Sequence, residues 1–174
     1  MLERDHILKE LQQAHDGAPW HGSSRAAILA DVALDEAVRR PDGGAHSIWD
    51  LVLHMRAWTG EVARRVREGN PGQPPEGDWP VTGEATEASW RAAVDGLATS
   101  HADVSAAVRA LREGQLDERV GGPRDAAQGT GDTYREMLHG LAQHDSYHSG
   151  QIALLKRLHR SVDATADLPA RRQS

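Results

Sequence analysis

A chain of 174 residues is long enough to bury a core of its own, and it carries 20 Lys and Arg against 26 Asp and Glu, a formal net charge of −6. That acidic balance excludes a general nucleic-acid surface, which needs a basic patch. With no cysteine, the chain makes no disulfide and no thiolate metal site, so a metal must be held by His, Asp, Glu or water, and a thiol must arrive on a cofactor or substrate.

Helical periodicity recurs along the chain, and no stretch of length alternates as a strand does. The first predicted helix runs from about Leu2 to His15, with Ile7, Leu8, Leu11 and Ala14 on one side and Gly17, Pro19 and Gly22 ending it. A weaker helical region follows from Ser24 to Arg40, stopped by Pro41 and Gly43-Gly44. The second long helix is predicted over 47–68. Ser47 and Asp50 form a capping-box start, Gly69-Asn70-Pro71 a stop, and Ile48, Leu51, Met55, Trp58, Val62 and Val66 the apolar stripe. The third, over 86–112, steps by four and three through Trp90, Val94, Leu97, His101, Val104, Val108 and Leu111, as a bundle helix does. The fourth is predicted over 132–160, followed by a polar, frayed tail over 161–174. No internal repeat or domain boundary shows. Long helices joined by connections able to cross over predict an all-α fold, a four-helix bundle in one domain spanning 1–174. Met1-Leu2-Glu3-Arg4-Asp5-His6 is charged and lacks a long apolar run. Neither a signal peptide nor a membrane span is expected there, and the expected location is cytoplasmic.

The run His144-Asp145-Ser146-Tyr147-His148 lies in the fourth helix. At about 100° per residue, His148 falls about 40° from His144, and Met137, Leu141, Gln151 and Leu155 lie within about 60° of it. Both imidazoles therefore sit in the apolar stripe, at the i, i+4 spacing that lets two His share one ion. Two buried imidazoles without partners are costly, and a metal resolves that cost. The competing reading makes them hydrogen-bonded core histidines. A third ligand must come from another helix, and His54 leads, at the edge of its stripe with Asp50 and Glu61 alongside. Three His with open positions describe a catalytic rather than a structural site. His101 competes for the third place but reads better as a core His with a hydrogen-bond partner. His6, His15, His21, His46, His139 and His159 read as surface or loop residues. Glu136-Met137-Leu138-His139 matches Glu-x-x-His, but a di-iron bundle needs two copies and two further Glu. The zinc-protease helix is unsuitable too, because its catalytic Glu is Asp145 here.

Ser47-Ile48-Trp49-Asp50-Leu51-Val52-Leu53-His54 followed by Trp58, and His144-Asp145-Ser146-Tyr147-His148-Ser149-Gly150-Gln151-Ile152, resemble the second-helix and last-helix motifs of the DinB/YfiT-like superfamily. Trp20-His21-Gly22 and Gly77-Asp78-Trp79 resemble segments common in one of its branches. The resemblance covers nearly the whole chain. It implies a four-helix bundle with crossover connections, often a homodimer, and a metal, commonly nickel or zinc, on three His. Carried over, these are His54, His144 and His148. It also implies metal-dependent chemistry with low-molecular-weight thiols, as in bacillithiol S-transferases and mycothiol-dependent maleylpyruvate isomerase, or metal-dependent hydrolysis.

The expectation is thus a divalent-metal-dependent enzyme, a thiol-dependent S-transferase or a hydrolase, acting on a small molecule. Catalytic candidates are Asp145, Tyr147 and Gln151. Asp50, Glu61 or Asp145 would orient a ligating His, although Asp50 serves equally as a helix cap. The alternative is a non-catalytic metal-binding stress-response or interaction protein.

Overall fold

In the computed structural model, the described residues are 2–41, 43–112, 114–121 and 131–166. They form α1 (Glu3–His15), α2 (Arg25–Leu29), α3 (Leu34–Val38), α4 (Ile48–Glu68), α5 (Glu87–Arg109) and α6 (Tyr134–Ala166), with a 3₁₀ turn at Gln115–Asp117. Among the described residues the one β feature is an isolated bridge between Arg119 and Thr133. None of the described helices is long and apolar enough to cross a membrane.

The ends of α4 follow from local chemistry. Ser47 Oγ accepts from the Asp50 amide at 3.1 Å, and the Asp50 carboxylate accepts from the Ser47 amide at 2.8 Å. At the other end Gly69 takes a left-handed φ of 70°, which favours glycine, and its amide reaches the Arg65 carbonyl.

The region 24–40 departs from the single weak helix expected of it and forms α2 and α3 instead. Carbonyls in the last turn of α2 and between the two helices are taken from outside. Lys156 Nζ donates to Ile28 O at 2.7 Å, Arg160 to Asp31 O at 2.8 Å and Trp90 Nε1 to Val32 O at 3.1 Å. These side-chain bonds replace a continuing helical ladder. The helix α6 outruns its expected end at 160, continuing to Ala166, with Arg39 donating to the Asp163 carboxylate at 2.8 Å. The rest of the expected frayed tail, 167–174, and 122–130 of the expected second loop lie outside the described residues.

The helices α1 and α4 each pack against both α5 and α6. Around the bundle the order is therefore α1, α5, α4, α6, which places α1 opposite α4 and α5 opposite α6. Both the 16–47 and the 110–133 connections cross a diagonal, the expected crossover bundle. The apolar core divides in two. One cluster joins Ile7 and Leu11 to Val62, Val104, Val108, Leu138 and Leu141. The other joins Leu29 and Val32 to Ile48, Val52, Met55, Leu97 and Ile152. Polar residues lie between them: on α6, His144, Asp145 and His148 fall between Ala142 and Ile152, and on α5, His101 falls between Leu97 and Val104. The candidate site belongs to this polar belt.

Candidate metal centre

His54 comes from α4, and His144 and His148 from successive turns of α6. One ring nitrogen from each of the three lies within 4.8 Å of the others. His54 and His144 face each other Nε2 to Nε2 at 3.0 Å. Two nitrogens on one tetrahedral first-row ion, each at about 2.0–2.1 Å, lie about 3.3 Å apart. The His54–His144 separation lies close to that value, with a His148 nitrogen within 4.8 Å of both.

Hydrogen bonds orient two of the rings. His54 Nδ1 lies 2.7 Å from the Asp78 carbonyl oxygen, which only accepts, so Nδ1 carries the proton and Nε2 keeps a lone pair. His148 Nδ1 lies 2.6 Å from Gln151 Oε1, one helical turn on, with the same consequence. The third ring, His144, has its Nδ1 buried without a partner. Burial, then the neighbouring His148 and His54, pushes the His144 pKa down to about 4. Burial lowers that of His148 as well. Both rings are held neutral at pH 7, the state in which an imidazole binds a metal.

The 69–86 connection supplies the outer wall. Trp79 stacks on His54 at 4.0 Å between centroids, and His46 stacks on the far face of Trp79 at 3.5 Å. The Asp78 carboxylate accepts from Trp58 Nε1 at 2.6 Å. A cleft of about 790 Å³ opens over the three histidines, with Leu51, Trp58, Trp79, Leu154 and Leu155 in its walls. It is concave, mostly apolar and polar at one place, as small-molecule sites are.

The other expected residues divide. Tyr147 stands exposed at the cleft, edge-on to His148 at 5.0 Å, and Gln151 also lines the cleft and holds His148. Asp145 does not reach the cleft. It is 1% exposed and pairs at 2.6 Å with the equally buried Arg25 of α2, because α6 is covered on this side too. Burial pushes the Asp145 carboxyl up and Arg25 opposes that shift. Neither Asp50 nor Glu61 orients a ligating His. Asp50 caps α4 and pairs with Arg40, while Glu61 pairs with Arg64 and Arg65.

Several histidines sit differently from expectation. His101 is buried, but neither ring nitrogen has a hydrogen-bond partner, and it stacks on His15 at 4.0 Å. That makes His15 a packed residue rather than a surface one, with Arg25 3.0 Å from its Nδ1. His159 is buried rather than exposed, and His46 belongs to the cleft. His139 faces away from the cluster, between Glu3 and Glu10, and Glu136 bonds Thr133. The roles of Asp78 and Trp79 had no signal in periodicity; only the resemblance of Gly77-Asp78-Trp79 marked that loop.

The depressed values make pH a test of the apo protein. His144 near 4, and His101 near 3 through burial beside His15 and Arg25, start from about 6.5 when unfolded. Between those values the unfolded chain takes up protons that the folded chain refuses. Stability is therefore complete above about pH 6.5 and is lost as pH falls toward 4. The melting temperature of metal-free protein should be level near neutrality and drop across that window. A level profile down to pH 4.5 contradicts the assignment.

Compared with known families, residues 23–152 match the model described as the DinB superfamily. No curated protein and no solved structure matches the chain. The matched span holds all three histidines and the 69–86 connection.

Proposed function

The chain belongs to the DinB superfamily, and on that premise we propose that it is a divalent-metal-dependent enzyme of small-molecule chemistry, an S-transferase using a low-molecular-weight thiol or else a hydrolase, with nickel or zinc on His54, His144 and His148. The observation that supports it most is the convergence of three imidazole nitrogens within 4.8 Å at an open, apolar-walled cleft. A site used only for structure has no need of a cleft above it.

The ion, when bound, supplies Lewis acidity that favours the deprotonated form of a thiol or water. The chain supplies the rest. His54 and His148 keep their Nδ1 protons on Asp78 and Gln151, which turns both Nε2 lone pairs inward. Trp79 packs one face of His54 and limits its rotation. The cleft walls bind the apolar part of the substrate and exclude water from it. The S-transfer reaction joins the thiol sulfur to an electrophilic carbon, and the thiol proton and leaving group depart to solvent through the open mouth. We also propose a cytoplasmic homodimer folded as one domain.

The reading is tested by following thiol addition to an electrophilic arene, and ester hydrolysis in parallel, on metal-free and zinc- or nickel-loaded protein. At least one reaction should accelerate only with the ion, and His54→Ala should return it to background. Equal rates with and without ion across both reactions favour the non-catalytic metal-binding alternative.

A further inference from the structure

The cleft over the histidines is short of positive charge. Among the described residues lining it there is no Lys or Arg, and the one carboxylate is that of Asp78. Asp78 is fixed there by Trp58 and lies 3.3 Å from His54 Nδ1. Guanidiniums around it are committed elsewhere: Arg25 to Asp145, Arg40 to Asp50, Arg56 to Glu76, and Arg65, which lies 5.6 Å over the Trp58 ring, to Glu61. Leu51, Trp58, Trp79, Leu154 and Leu155 make the walls hydrocarbon and aromatic.

A ligand carboxylate or phosphate placed against these walls loses water and gains no cationic side chain in return. Asp78 adds repulsion. An uncharged ring or chain gains burial against two indoles and three leucines. We propose, resting on the reading of this cleft as the substrate site, that it selects an uncharged, apolar-bodied ligand carrying one donor group toward the three histidines, and selects against polyanionic thiols or acids.

Two probes of one skeleton isolate the charge: benzyl mercaptan, and 5-(mercaptomethyl)isophthalate, which adds a carboxylate on each flank of the ring. Their affinities are measured by calorimetry on the full chain, metal-free and zinc-loaded, with bound zinc determined in each sample. The neutral probe should bind at least about tenfold tighter in both states. Ala45→Lys places a cation on the exposed rim of the cleft and should narrow that gap. Equal or tighter binding of the dianion in either state, no binding of either probe, or a gap indifferent to Ala45→Lys overturns the inference. Absence of bound zinc with the neutral preference intact removes the metal-dependent function and leaves the selectivity standing.

Discussion

Replacing His148 with alanine is expected to weaken zinc binding by more than about 100-fold while leaving the helical circular-dichroism signal unchanged. Loss of a residue that merely supports a ligating His costs about 10–100-fold, and loss of the ligand itself should exceed that. His148 is 7% exposed and lies at the cleft, so truncation enlarges an open space rather than creating a sealed void. Gln151→Leu gives the graded comparison. It removes the oxygen 2.6 Å from His148 Nδ1 without touching Nε2, so its loss should fall between those of wild type and His148→Ala. Competition against a chromogenic chelator measures all three. Equal affinities would remove His148 from the site.

The second large effect lies behind the site. Arg25→Met should lower unfolding stability by about 3–5 kcal/mol, because it leaves a buried carboxylate without its cation. Arg25 and Asp145 are each 1% exposed and pair at 2.6 Å through Asp145 Oδ2, and Asp145 Oδ1 is buried without a hydrogen-bond partner. Domain stabilities of about 5–15 kcal/mol make such a loss visible in a denaturant titration. Arg25→Met with Asp145→Leu should recover most of it, since removing both charges removes the desolvation cost along with the attraction. A single variant within about 1 kcal/mol of wild type would show that the pair contributes little.

The long helices were legible because their signals are local. Ser47 with Asp50 marks the start of α4, Gly69 its end, and the 3.6-residue period aims His144 and His148 together. The placement of His54 was legible in part, as a His beside core residues on another helix. The split of 24–40 was not legible, because Lys156, Arg160 and Trp90 determine it from far along the chain. Nor was the fate of Asp145. Helical phase turns it about 100° from His144, which suggests a flank, but α2 covers that flank and buries it against Arg25. The stack of His46, Trp79 and His54 is of the same kind: a loop of Pro and Gly has no period, so what it folds back upon is set by tertiary contact alone.

His54, His144 and His148 are expected to bind one divalent ion together. Equilibrium dialysis of untagged, chelator-stripped protein against zinc, followed by elemental analysis, tests it most directly. One tightly held ion per chain and a higher melting temperature on loading are expected, with loss of both in the variant with all three histidines changed to alanine. A wild-type ratio near zero with no rise in melting temperature, or a ratio that survives the triple substitution, would contradict it.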